Sequence, residues 1–188
     1  MVEPADSLAR RRFDALMLPH LAAAFNLAQW LTRNPDAAAD VVQDSYVRAL
    51  RFFEDYRGDN ERAWLLAIVR NTSLNWLAKT RTNRTTSLSD QAAGGEGAAF
   101  FGEVADENAD IEMELRQKQA AETLDQLIAA LPVAFREVII LREIEDLSYK
   151  EISAVTGLPM GTVMSRIARA RQALQKHWKK LSVNRGTS

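Results

Sequence analysis

Leu147-Ser148-Tyr149-Lys150-Glu151-Ile152-Ser153-Ala154-Val155-Thr156-Gly157-Leu158-Pro159, continuing into Met160-Gly161-Thr162-Val163-Met164-Ser165-Arg166, decides the fold. Ser148 and Glu151 stand at capping-box spacing: the serine hydroxyl accepts from the glutamate amide while the carboxylate reaches back to the serine amide, so a short helix starts at Ser148. Gly157 suits the left-handed turn that closes a helix, and Pro159 suits the opening of the next. Together these features spell a helix-turn-helix. In the second helix Val163, Ile167, Ala170 and Leu174 form a buried stripe, which leaves Thr162, Ser165, Arg166, Arg169 and Lys176 on the exposed side. Such a row suits a major groove, because arginine bonds guanine bidentately and small hydroxyls allow close approach. A plain helical hairpin with a charged outside carries the same pattern.

Upstream, Leu124, Leu127, Ile128 and Leu131 share one face of a helix that begins near Ile111 and stops at Pro132, and residues 133–145 are again helical with Phe135, Val138, Ile139 and Leu141 apolar. Nearer the N-terminus, helical spacing runs from about Leu8 to Thr32, interrupted at Pro19, whose missing amide marks a break or a new first turn. Asn34-Pro35-Asp36 punctuates the chain, with Asp36 as the expected N-cap of a helix reaching about Phe53. There Val42, Tyr46, Ala49 and Phe53 face a core, opposite Asp36, Asp40, Gln43, Asp44 and Arg51. Residues 54–60, with Gly58, read as a loop, and a helix over about 61–80 turns Leu65, Ile68, Val69, Thr72 and Trp76 inward. No stretch alternates strictly enough to be a strand, so the chain reads as all-α.

The net charge of −1 over 188 residues conceals a segregation. Residues 85–115 hold Asp90, Glu96, Glu103, Asp106, Glu107, Asp110, Glu112 and Glu114 and no basic residue, whereas from Met160 onward Arg166, Arg169, Arg171, Lys176, Lys179, Lys180 and Arg185 meet no acid. A cationic end attracts phosphate, although a solvated helix face has the same look. Residues 82–110 have too few periodic apolar side chains to offset the entropy of ordering and read as a flexible acidic linker, inside which Phe100-Phe101 suggests either a docking spot or a local contact. The expected organisation is therefore two small helical domains, 1–81 and 111–188, joined by 82–110. With no cysteine, disulfides, thiolate metal sites and cysteine nucleophiles are excluded. His20 and His177 stand in separate units as surface or packing residues, no phosphate-binding glycine loop or metal-ligand spacing occurs, and no catalytic residue, metal, cofactor or small-molecule substrate is expected. No run of about 18 apolar residues appears, so membrane insertion is not expected and the reading is cytoplasmic.

Three blocks carry a family resemblance: Asp40-Val41-Val42-Gln43-Asp44-Ser45-Tyr46-Val47-Arg48-Ala49; Tyr56-Arg57-Gly58 followed by Ala63-Trp64-Leu65-Leu66-Ala67-Ile68-Val69-Arg70-Asn71; and Leu131-Pro132 through Leu174. In this order they resemble the extracytoplasmic-function (ECF) group of bacterial sigma factors, over about three quarters of the chain. The resemblance implies a promoter-specificity subunit that binds RNA polymerase core at its large-subunit clamp and flap, reads promoter DNA at −35 and −10, and assists opening. It assigns Asp40, Gln43, Asp44 and Arg48 to core binding. Arg57, Asp59, Asn60 and Arg62 would line a pocket for a flipped −10 base, while Arg70, Asn71, Asn75 and Lys79 would hold the strand and its neighbouring bases. Trp64 and Trp76 lie on or beside the apolar stripe, which favours packing over base stacking.

By the same resemblance the helix-turn-helix reads the −35 element as duplex, with Tyr149 and Lys150 on phosphate and Thr162, Ser165, Arg166 and Arg169 on bases. Arg171, Lys176, Lys179 and Lys180 would add salt-dependent affinity that is blind to sequence. Many relatives carry a basic residue where this chain has Met164, which removes one expected contact. The linker would thread toward the polymerase active site and RNA exit path, and an anti-sigma factor is the expected further partner. The rival reading is a dimeric helix-turn-helix activator or repressor, which would bind a palindromic duplex without polymerase.

Overall fold

A computed structural model describes residues 5–58, 60–86 and 111–185. Among them every regular element is helical: α1 (Ala5–Met17), α2 (Leu21–Thr32), α3 (Pro35–Arg51), α4 (Glu61–Thr86), α5 (Ile111–Ala129), α6 (Val133–Ile139), α7 (Tyr149–Thr156) and α8 (Met160–Arg185). Pro19 sits in a 3-10 turn, Leu18–His20, that separates α1 from α2. A π-helical turn, Ile140–Ile144, extends α6. Helix α4 continues past the expected end near Thr80, and Phe100-Phe101 lies outside the described residues.

Helices α1 to α4 form the N-terminal body. Along α2, Ala23, Ala24, Leu27, Ala28 and Leu31 are buried, and the small alanines let neighbouring helices approach closely, so α2 packs against both α3 and α4. Asn34, not Asp36, is the N-cap of α3: its side chain accepts from the Ala37 amide at 2.8 Å. Pro35 explains the difference, since its fixed φ and absent amide suit the first helical position and push the cap one residue back, leaving Asp36 in the first turn. The Tyr46 hydroxyl donates to the Met17 carbonyl at 2.8 Å and ties α3 to the end of α1. A chain of rings, Phe13 to Phe53 at 5.2 Å, Phe53 to Tyr56 at 6.1 Å and Tyr56 to Trp64 at 5.1 Å, fastens the loop after α3 to the core. That loop carries Gly58 at φ +88, a conformation that side-chain-bearing residues rarely adopt.

Helices α5 to α8 form the second body around Leu147, Ile152, Val155, Val163, Ile167 and Ala170. Leu127, Ile128 and Leu131 are buried as their spacing predicts, whereas Leu124 is 40% exposed and the neighbouring Thr123 takes the buried position on α5. The two bodies share a single apolar cluster, α4 packing on α7 and α2 on α6. Arg136 stitches this junction: its guanidinium donates to the Ala129 carbonyl at 2.7 Å, to Leu131 at 2.9 Å and to Trp30 of α2 at 3.3 Å. Burial, with Arg33 nearby, pushes its pKa down to about 10, so it stays cationic at neutral pH.

Burial raises the Tyr46 phenol from 10.0 to about 12. A raised folded-state pKa means that this stabilising contribution is complete below pH 10 and is lost as pH rises through about 12. Alkaline unfolding monitored by circular dichroism should show that loss, and Tyr46→Phe should remove it while costing about 1 kcal/mol in urea unfolding at neutral pH.

Candidate nucleic-acid interface

The capping box is fully formed. The Ser148 hydroxyl accepts from the Glu151 amide at 3.2 Å, and the Glu151 carboxylate accepts from the Ser148 amide at 2.7 Å. Hydrogen bonding to the carboxylate itself, first from the Ser148 side chain and then from the Ser148 amide, holds the Glu151 carboxyl below its usual range. Gly157 ends α7 at φ +69, its amide donating to the Ser153 carbonyl, and the Ser153 hydroxyl donates to Leu158 across the turn. Val163, Ile167 and Ala170 then anchor α8 against α6 and α7. The local chemistry of the turn therefore sets how α8 is presented.

On that surface Ser165, Arg169 and Lys176 are exposed and Thr162 is half-buried, with Met164 exposed beside them. Arg166 is drawn in, at 3.3 Å from Glu137 of α6. Arg171 is forked onto Glu143 at 2.6 and 3.1 Å. Tyr149 is half-buried beneath Arg142, whose guanidinium carbon lies 5.3 Å from the ring centroid, and Lys150 is exposed next to it. The row read from sequence thus divides into open side chains and two arginines already engaged with carboxylates.

In the N-terminal body Asp40, Gln43, Asp44 and Arg48 are all exposed along α3. They form one wall of a polar groove of about 390 Å3 whose other wall is α4, with Asn75, Trp76 and Lys79. The two sets expected to serve polymerase and DNA therefore meet along one furrow. Asn71 is exposed one turn before Asn75, and Arg70 bonds it at 3.3 Å.

A second cavity, of about 350 Å3, lies at the start of α4 and is lined by Asp55, Tyr56, Arg57, Asn60, Ala63, Trp64 and Ala67, with Ala154 of α7 on its far side. Asp59 is outside the described residues. Asn60 is fixed from both ends, its carbonyl oxygen accepting from the Ala63 amide at 2.8 Å and its amide donating to Glu151 at 2.8 Å. Trp64 and Trp76 are partly buried against the core, as their positions on the stripe indicate.

Three contacts made by carboxylates escaped sequence reasoning. Glu145 meets Arg62 at 2.6 Å, Glu137 meets Arg70 at 2.7 Å, and Glu151 meets Asn60, all three reaching from the second body into the first. Glu137 and Glu145 are only 2% and 4% exposed. A signal for the first existed: Glu137 stands four residues from both Val133 and Leu141, on a stripe that is otherwise apolar. Among the described residues no group of His, Cys, Asp and Glu is placed to hold a metal ion, and no helix is long and apolar enough to cross a membrane.

Comparison with known proteins gives a consistent match. Residues 16–83 match the family description "Sigma-70 region 2", and residues 121–174 match "Sigma-70, region 4". The chain is 35% identical to the RNA polymerase sigma-H factor of Pseudomonas aeruginosa over 179 residues, 94% of this chain and 91% of that one. It is 33% identical to the ECF RNA polymerase sigma-E factor of Escherichia coli K12, covering 93% and 90%. Among solved structures it resembles the sigma factor RpoE of Bartonella quintana, crystallised with the anti-sigma factor NepR, at 25% identity and a TM-score of 0.71 over 90% of this chain and 98% of that one. It also resembles CnrH in complex with the cytosolic domain of CnrY, at 26% identity and a TM-score of 0.62 over 91% and 90%.

Removing the cap should loosen the presentation of α8. Ser148→Ala is expected to cost about 1 kcal/mol in urea unfolding. Because the Glu151 carboxyl is depressed in the folded chain, its share of stability is present above its ordinary value of 4.5 and lost as pH falls through the lower folded value, and acid titration of Ser148→Ala should show a weaker dependence.

Proposed function

The chain belongs to the ECF group of RNA polymerase sigma factors, the subunits that direct transcription initiation to promoters, and from that premise we propose how its residues divide the work. The unit over 1–81 binds core polymerase and the −10 element, 82–110 tethers it, and 111–188 reads the −35 element. The observation that carries this division is the capped helix-turn-helix whose second helix leaves Ser165, Arg169 and Lys176 open to solvent on a surface without acidic residues beyond Met160. Duplex DNA is recognised by such a helix in the major groove, with hydroxyls and arginine at base edges and lysine on phosphate. Tyr149 and Lys150 sit at the start of α7, where phosphate contacts would fix the register. Arg166 joins the reading surface after exchanging Glu137 for DNA, and Arg171, once released from Glu143, adds affinity that is blind to sequence.

Asp40, Gln43, Asp44 and Arg48 offer an exposed polar face on α3 to the clamp of the polymerase large subunit. The cavity lined by Arg57 and Asn60 is of a size to take one base out of the stack, while Arg62, outside that lining, and Arg70, Asn71, Asn75 and Lys79 follow along α4 in the direction a single strand would run. The protein acts in the cytoplasm with polymerase, without a catalytic step of its own. An anti-sigma factor is its natural antagonist, as the structurally similar sigma factor RpoE is held by the anti-sigma factor NepR.

Run-off transcription with purified core polymerase on a library of promoter fragments tests this. Adding the chain should select start sites and leave unpaired, reactive bases near −10; a symmetric footprint on duplex by the chain alone, with no start-site selection, would mark a dimeric regulator instead. Within the holoenzyme, Arg169→Ala should cost about 1–3 kcal/mol and relax preference at one −35 position, whereas Lys176→Ala should weaken all sequences alike and lower the salt slope by about 1.

A further inference from the structure

We propose that Met164 and Ala168 read the C5-methyl groups of neighbouring thymines in the −35 duplex, so that α8 selects A·T pairs by apolar contact beside its hydrogen bonds. The proposal rests on the assignment of α8 to the −35 element made above. Its basis is the make-up of the exposed strip. Val163, Ile167 and Ala170 anchor the helix, Arg166 lies 3.3 Å from Glu137, and Arg171 is forked onto Glu143 at 2.6 and 3.1 Å. What α8 leaves exposed between residues 164 and 169 is Met164, Ser165, Ala168 and Arg169. A helix lines up residues four apart, so these side chains form two rows, Met164 with Ala168 and Ser165 with Arg169. The second row is polar, and the first has no hydrogen-bond donor at all.

The two rows do different work in a major groove. Arg169 can fork onto a guanine, and Ser165, whose hydroxyl donates to the Thr162 carbonyl at 3.0 Å, turns acceptor lone pairs toward an adenine or cytosine amino group. Met164 and Ala168 cannot tell bases apart by hydrogen bonding. The feature of the base edges that matches them is the thymine methyl, the apolar group that the major groove presents. Met164 is 50% exposed, and Met160, one turn earlier, is 53% exposed, so apolar surface stands in water on a helix without an acidic residue. Burying that surface against a methyl is favourable, and cytosine has no methyl to offer. The unbranched thioether adapts its shape to such a contact, while the small Ala168 lets a base edge come close. One helical turn rises about 5.4 Å and one base step about 3.4 Å, so the two residues address neighbouring pairs. Methionine at position 164 therefore changes which base is preferred, besides removing a polar contact.

The test uses holoenzyme, the full chain on core polymerase, and promoter duplexes selected in the run-off assay. Thymines of the −35 element are replaced one at a time, on either strand, by deoxyuridine, which removes the methyl and nothing else. With the parent chain, one or two adjacent positions should lose about three- to fivefold in affinity, the effect of withdrawing one buried methyl. Met164→Ala should bind thymine and uracil duplexes alike at one of these positions and Ala168→Ser at the other, with the preference due to Arg169 intact at its own position. Both side chains are exposed, so the substitutions spare the core. Binding indifferent to uracil throughout the −35 element, selected promoters without an A·T pair there, or a uracil penalty undiminished in both variants overturns methyl reading. So does a loss of core-polymerase affinity by Met164→Ala in the absence of DNA, which would make the apolar row a protein contact. If methyl reading fails, scrambling the whole −35 element separates the two claims: a large loss of holoenzyme binding leaves the −35 assignment standing, and no loss removes it as well.

Discussion

A buried carboxylate between two guanidinium groups organises this molecule. Glu137 lies on the apolar stripe of α6, almost wholly out of solvent, with Arg70 of the N-terminal body on one oxygen and Arg166 of the recognition helix on the other. A lone charge at that position would be expensive, and a single partner would make it a simple ion pair. Two partners from different bodies link the surface proposed for the −10 strand to the surface proposed for the −35 duplex. The neighbouring pairs, Arg62 with Glu145 and Asn60 with Glu151, extend the same seam toward the start of α7. Glu151 thereby couples the cap that positions the helix-turn-helix to the entry of α4.

What was legible in the sequence follows from the range of the interactions involved. Ser148, Glu151 and Gly157 act over three to nine residues, and their geometry appears in the structure as written, with the box closed and the glycine left-handed. The breaks at Pro19 and Pro132 were equally local. The apolar stripes located most of the core, but on α5 the buried position is Thr123 and not the apolar Leu124 beside it, so the buried face is offset from the apolar one by a residue. Asp36 was displaced as a cap by Asn34 because Pro35 pre-empts the first helical position.

The seam between the bodies was not legible, and the reason is sequence separation. Arg70 and Glu137 are 67 residues apart, Arg62 and Glu145 are 83 apart, and Asn60 and Glu151 are 91 apart. No local rule relates such positions. Arg62 and Arg70 were read as side chains offered to solvent or to DNA, and their chemistry supports that role, yet here they are satisfied internally. The glutamates carried the missing information, since an acid set on an apolar stripe has to meet a counter-charge.

The separation of the two bodies is the quantity on which this view depends. The chain has no cysteine, so one can be placed at exposed Arg51 of α3 and one at exposed Gln172 of α8 and both labelled with a dye pair. Energy transfer should be high and uniform in the protein, and should fall in Glu137→Gln/Glu145→Gln, which removes the acids that hold the seam. Transfer that is equally low in both chains, or that stays high in the variant, would contradict a seam held by these two carboxylates.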